Sequence, residues 1–324
     1  MQHYPSSPGE HVRLRLVRVL GNPADQMLGL AFHPHHPTLA TTSGDGAVQV
    51  WDLGTGRARL LAKSVNTSFA AIACSPDGQL LAGGDNNGAV WMWDTNTGRP
   101  VQQRGSHRLA ILALAFTPDG KALATGSLDG RAQLWQVGEN AAPRIFEGHQ
   151  DSVESLAFHP TRQMLVTASQ DGSVRLWQAS TGRQLATLFQ TERWVTSVAF
   201  SPDGRWLGCG LETGEAQIWE VESGQQHCRL AAHKGSVLSV AFSPDSRLLA
   251  TGSADGTGRL WAVEKGHPLA VATGHTQAVS NVAFSAQAIR TTEPLPPQTA
   301  RAEMLLATGS HDGTVRLWAV TTGA

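Results

Sequence analysis

Serine, histidine and aspartate recur together along this chain, and they are the parts of a hydrolytic relay: a hydroxyl nucleophile, an imidazole base and a carboxylate that orients it. His149, Ser169 and Asp171 form one such set. Related sets return at regular intervals, with His107 and Asp129, His233 and Asp255, and His275 and Asp312. Repetition argues against catalysis, because a nucleophile needs one exposed, asymmetric constellation beside an oxyanion site. The recurring sets therefore read as structural, and no catalytic residue is assigned. Metal chemistry has little support either. The spaced histidines belong to separate repeats, and the one close group, His33, His35 and His36 in HPHHP, reads as an ordinary exposed turn. Cys74, Cys209 and Cys228 are odd in number and lack Cys-x-x-Cys spacing, which speaks against a disulfide framework or zinc site and for a reducing cytoplasm. No Gly-x-Gly-x-x-Gly follows a strand, and neither a phosphate loop nor His-Glu-x-x-His occurs, so no cofactor is expected.

Length and composition bound the elements that must hold these residues. The 324 residues exceed what one compact core supports, roughly 250 to 300, so two domains or a repeat array is required. Hydrophobic residues make up 41% but form only short runs, and mean hydropathy is −0.18. No stretch approaches the about 20 apolar residues that span a membrane, and the N-terminus lacks the apolar segment of a signal peptide. Lys and Arg number 25 against 26 Asp and Glu, a net charge of −1 that offers no broad basic surface for nucleic acid. Charged residues at 16% beside 34 glycines suit many short strands and tight turns.

The tryptophans reveal the unit. Seven of the ten, Trp51, Trp93, Trp135, Trp177, Trp219, Trp261 and Trp318, are spaced by 42 residues five times and then by 57. With 15 extra residues allowed in the last interval, three more columns hold in all seven copies: a glycine five before each Trp, a leucine twelve before and an alanine twenty before. In the fourth copy, Val153 to Phe158 alternates as a first strand, Met164 to Ser169 as a second, and Ser173 to Gln178 as a third. Asp171-Gly172 between the second and third predicts a type I′ hairpin. Gln184 to Leu188, more polar, is an outer fourth strand. Such a small sheet cannot bury both faces alone, so the units must stack.

The chain ends favour a closed ring over an open array. Only six residues follow Trp318, so the seventh unit lacks its fourth strand, while Val12 to Leu20 is a surplus strand ahead of the first. Pairing them closes the ring. The expected architecture is all-β: a seven-bladed propeller of four-stranded antiparallel blades spanning residues 12–320, with an N-terminal tail at 1–11, a C-terminal tail at 321–324 and an insertion at 286–301 in blade 7.

These residues resemble the WD-repeat (WD40) β-propeller family, in the regular form common in bacteria. The carriers are Gly-His at His149 and His275, the Ser-Pro-Asp-Gly turns at Ser75 and Ser201, Ser-Pro-Asp-Ser at Ser243, and the segments SADGTGRLW and SHDGTVRLW. Trp-Asp itself survives only at Trp51-Asp52 and Trp93-Asp94. The resemblance implies a buried network of His, Ser or Thr, Asp and Trp within a blade. Mapped here it comprises His107, Asp129 and Trp135; His149, Asp171 and Trp177; His233, Asp255 and Trp261; and His275, Asp312 and Trp318, with Thr167 or Ser169 as hydroxyl partner in blade 4. Blade 2, with Val65 and Asn87, and blade 5, with Thr191 and Thr213, lack the network altogether; blade 1 keeps Asp45 but has Pro23 for His.

For function, the resemblance points to the face around the channel mouth, where family members bind peptides. Three positions per blade should project there: 25 and 23 before the Trp, and the residue preceding the Asp column. Among them Trp194, Glu154, Glu212, Gln170, Leu112, Leu128, Leu238 and His311 are the candidate partner-binding residues. Trp194 is the expected anchor, and Glu154 and Glu212 favour a ligand with Lys or Arg beside an apolar residue. Packing against a neighbouring loop is the competing role for Trp194, packing between blades explains Trp91, and Trp206 reads as core. The insertion carries Pro-Leu-Pro-Pro at Pro294 to Pro297, able to form polyproline II. The expectation is a cytoplasmic interaction scaffold, a monomeric propeller within a larger complex, with a protein or peptide partner and no nucleic acid or membrane. The alternatives are a hydrolase-like enzyme using the channel mouth and, less favoured, a reader of nucleic acid or modified tails.

Overall fold

Each repeat folds as one four-stranded antiparallel sheet, and seven such sheets make up the described structure. The computed structural model describes residues 12–21, 25–105, 107–285 and 304–322. The tail at 1–11, Pro23 and the 286–301 insertion with its Pro-Leu-Pro-Pro lie outside the described residues. In blade 4 the strands are Val153–Phe158, Met164–Ser169, Ser173–Gln178 and Gln184–Gln190, joined as a meander in sequence order. The last sheet is built differently. Its order is Val12–Gly21, Thr314–Thr322, Met304–Ser310, Val279–Phe284, so the first strand of the chain is the outermost strand of blade 7. Pairing runs from Val12 with Thr322 to Gly21 with Thr314 and closes the ring. The strand it pairs with, Thr314–Thr322, continues two residues past the boundary read at 320, through Thr321 and Thr322.

Burial follows from this stacking. Seven apolar clusters occur among the described residues, each drawn from two neighbouring blades. Between blades 3 and 4, for example, Leu134 and Phe146 meet Val153, Leu165 and Trp177. The leucine column is fully buried at Leu39, Leu123, Leu165, Leu207 and Leu249. A blade therefore has no core of its own, which is the physical content of the repeat rule that neighbours complete one another.

The Asp-Gly turns differ from expectation. A type I′ turn needs positive φ at both central residues, but the only non-glycine residue with positive φ among the described residues is Ser246. Gly172 alone has it, at 79°, and its N–H donates to Ser169 O at 3.1 Å. The loop is a type I turn followed by a left-handed glycine, the common three-residue hairpin connection. A side chain at this position would collide with the carbonyl of Thr191 in the strand-to-strand crossing, so glycine is required twice over.

Strand direction sorts the loops onto two faces. The second-to-third turns and the crossings between blades share one face with the channel mouth, while the first-to-second and third-to-fourth turns lie on the other. The seven inner strands, Met27–Phe32, Phe69–Cys74, Ile111–Phe116, Val153–Phe158, Val195–Phe200, Val237–Phe242 and Val279–Phe284, are the ones that line the channel.

Candidate partner-binding face

The buried networks form in four blades, with threonine as the hydroxyl partner. In blade 4, His149 Nδ1 lies 2.9 Å from Asp171 Oδ2 and its Nε2 lies 2.7 Å from Thr167 Oγ1, which accepts Trp177 Nε1–H at 2.8 Å. Blade 6 repeats this with His233, Asp255, Thr251 and Trp261, and blade 7 with His275, Asp312, Thr308 and Trp318. Blade 3 does so with His107, Asp129 and Thr125, its Trp135 bond longer at 3.4 Å. Proton counting gives the tautomer: the carboxylate takes Nδ1–H, so Nε2 accepts the threonine hydroxyl while that oxygen accepts the indole N–H. Ser169 is not part of it. Its hydroxyl donates to Asp151 O and accepts Asp171 N–H, fixing the turn. A hydroxyl, an imidazole and a carboxylate do stand in line, but Thr167 is fully buried and its hydroxyl is already shared, so no substrate reaches it.

Electrostatics agree with this bonding. Burial holds His107, His233 and His275 below the ordinary imidazole value. Burial opposes ionisation of Asp255 and Asp312 as well, yet hydrogen bonds outweigh it and bring both down to about 2. For Asp255 the donors are the Thr257 hydroxyl, Lys234 N–H and His233.

The departing blades find other partners. Blade 2 lacks histidine and the expected aspartate, but Asp85, two residues earlier, is buried and accepts Trp91 Nε1–H at 2.9 Å and Ala89 N–H at 2.7 Å. Trp91 thus does more than pack: it stacks on Trp93 and supplies the donor that histidine supplies elsewhere. Blade 5 has Cys209 in the threonine column; Trp219 donates to Gln217 instead and stacks on Phe189 at 4.7 Å. Trp206 is core. The HPHHP group is not merely an exposed turn. His33 is buried, its Nδ1 accepts His35 and His36 N–H at 3.0 and 2.9 Å, and its Nε2 lies 3.0 Å from Gly78 O in blade 2. His159 does the same between blades 4 and 5 with Gly204. Two backbone donors at Nδ1 explain why the sequence holds His-Pro followed by two ordinary residues at both places.

Two of the three face columns are tied to one another. The residue before the Asp column donates its N–H to the carbonyl of the residue 25 before the Trp in every blade, including Leu128 to Ala110, Gln170 to Ser152, Glu212 to Trp194 and His311 to Ala278. The third column opens a cavity of about 430 Å3 at the channel, lined by Leu28, Ala70, Leu112, Glu154, Thr196 and Leu238 with His311 beside them. Glu154 is the carboxylate in that lining. Burial raises its pKa, and it accepts a 2.8 Å bond from Gln170 Nε2. Glu212 stands outside the lining and faces Arg193 at 4.0 Å. Trp194 is 47% exposed, which leaves a large part of its ring open on this face. Leu128 on blade 3 is 45% exposed, and so is Leu109 at 47%, a residue that the three-column reading omits because it lies 26 before its Trp. What signalled it was only an apolar residue in a crossing loop.

A family model described as "IFT122 first beta-propeller" matches residues 20–220, more than half of the chain, and one described as "WD domain, G-beta repeat" matches 224–262 and 266–319. No curated protein matches the chain. The repeat columns, the closed ring of blades and these matches agree, and the chain belongs to the WD-repeat β-propeller family.

Proposed function

We propose that this propeller is an interaction scaffold that captures a peptide or protein segment across the channel-mouth face, centred on blades 3 to 6. WD-repeat propellers are typically protein-interaction scaffolds, and one arrangement carries the reading: exposed Leu109, Leu128 and Trp194 flank a channel mouth whose lining holds the desolvated carboxylate of Glu154. An aromatic ring beside water-excluding apolar contacts is the usual anchor of an interface. A half-buried carboxylate with no cation beside it among the described residues calls for one from the partner, because an opposite charge offsets the cost of its desolvation. The partner is accordingly a segment with Lys or Arg next to an apolar side chain, read by Glu154, Leu112, Leu238 and Trp194, with Gln170 holding Glu154 in place and His311 on the far rim. Glu212, paired with Arg193, contributes less than the sequence suggests. We place this propeller, whose three thiols are free, in a reducing cytoplasm as a monomer inside a larger complex. No described helix is long and apolar enough to cross a membrane.

Affinity capture with wild type, Trp194→Ala and Glu154→Gln tests this. Both substitutions should lose the partner, by about tenfold or more for the aromatic anchor, while the melting temperature stays within a few degrees. Recovery unchanged in both variants overturns the proposal.

A further inference from the structure

On the face opposite the channel-mouth residues, between blades 1 and 2, lies a cleft of about 590 Å3 whose rim carries more positive than negative charge. Arg57 and Arg59 stand on its blade 1 side and Asn96 on its blade 2 side, with His36 above them. Arg59 reaches across to Thr95 O at 2.8 Å and so fixes the width of the cleft. Arg57 is exposed, and among the described residues its guanidinium has no hydrogen-bond or ion-pair partner. Asp52 is the one carboxylate in the lining. Its Oδ1 is turned into its own loop by Thr55 N–H at 2.6 Å and the Thr55 hydroxyl at 2.8 Å, and Arg18, bonded to Gly54 O and Thr55 O, lies behind that loop.

His33 makes the cleft a built feature rather than a gap. Its buried ring links the two walls through Gly78 O, and its Nδ1 holds the N–H of His36, whose ring lies 4.6 Å from its own. The corresponding groove between blades 3 and 4 is smaller, at about 290 Å3, and neither of its arginines is free: Arg144 bonds Ala179 O as Arg59 bonds Thr95 O, and Arg162 pairs with Glu222. The two grooves carry the same balance of two arginines and one carboxylate, and what distinguishes the first is the unpartnered guanidinium of Arg57.

We propose that the cleft between blades 1 and 2 binds a phosphate monoester. Arg57 and His36 on one wall and Asn96 on the other offer N–H donors suited to a tetrahedral group with three acceptor oxygens, and a guanidinium can engage two of them at once. The volume exceeds a bare ion, so the phosphate is carried on a larger ligand whose remainder fills the cleft between Asn96 and His36. This site is separate from the partner-binding face, and neither proposal depends on the other.

Titration of the isotopically labelled protein at constant ionic strength, read by amide chemical shifts, tests it with three probes: inorganic phosphate, N-acetyl-phosphoserine amide and N-acetyl-serine amide. Saturable shifts at residues 52–59 and 95–96 are expected with the phosphoserine probe, weaker ones with inorganic phosphate and none with the serine probe. Arg57→Ala should weaken binding about tenfold and Arg57→Glu should abolish it, with unchanged melting, since Arg57 makes no side-chain bond; Trp194→Ala should bind the probe as wild type does. Shifts spread equally over the other turn arginines, Arg99 and Arg183, or binding that survives Arg57→Glu, would overturn the site. Tighter binding of inorganic phosphate than of the ester would overturn the monoester assignment.

Discussion

Threonine ten residues before the tryptophan is the member of each network whose loss should cost most. Thr251 Oγ1 serves His233 Nε2 and Trp261 Nε1 together at zero exposure, so Thr251→Val strands two buried polar groups at nearly constant volume. A loss of roughly 2 to 6 kcal/mol is expected in urea unfolding, from about 1 to 3 per orphaned group. A change under about 0.5 kcal/mol would deny the network a structural role. The histidine, aspartate and tryptophan columns recur in the sequence and the family resemblance implies that they bond to one another, but threonine and serine two apart on one strand share a face and a hydroxyl, and only geometry separates them. Titration follows the same logic. His33, His107, His159, His233 and His275 are all held below the ordinary imidazole value of 6.5 by burial, so the unfolded chain takes up protons that the folded chain refuses. Their contribution is complete above pH 6.5 and is lost as pH falls through the lowered folded values. Asp255 and Asp312, at about 2 against 3.8, add a second loss between those two values. The urea midpoint should fall between pH 7 and pH 5 and fall again below pH 4; a profile flat from 7 to 5 would contradict burial of the neutral imidazoles.

Strands were the most legible elements, because period-two alternation bounded by Gly and Pro turns is a strong local signal. The specimen blade matches to the residue in its first three strands. Outer strands were harder, since they are polar and bury only one side. Blade 3 shows the consequence: its outer strand, Arg144–Phe146, is three residues long and, counted from the Trp, begins two residues later than those of blades 1, 2, 4 and 6. Trp135 consequently has no ladder partner on that side, whereas Trp51, Trp93, Trp177 and Trp261 pair with Ala58, Pro100, Gln184 and Pro268. The next N–H along is bonded in Asp52, Asp94, Gln178 and Ala262 but, among the described residues, not in Gln136. Amide exchange should therefore run at least about a hundredfold faster at Gln136 than at those four positions, the difference between an open edge and a closed one. Equal protection would mean that the blade 3 edge is covered.

Closure is the property of the whole molecule, and it rests on one strand. Val12–Gly21 supplies the fourth strand of blade 7, and Leu20 is buried with Met27, Trp51 and Leu317 in the cluster that joins blades 7 and 1. In an open array the loss of a terminal strand would expose one edge and leave the remaining repeats stacked. In a ring it opens Thr314–Thr322 to solvent and removes part of the contact that joins the last blade to the first, so every blade loses the constraint of a closed circle. A chain lacking residues 1–21 should then melt lower by more than about 10 °C, the shift expected for several kcal/mol in a domain of this size. Adding a synthetic peptide of residues 12–21 should recover much of that loss, because the pairing register is held by backbone bonds along the whole strand and Leu20 re-enters its slot. An unchanged melting temperature in the shortened chain, or a deficit that the peptide leaves untouched, would show that the termini do not carry the ring.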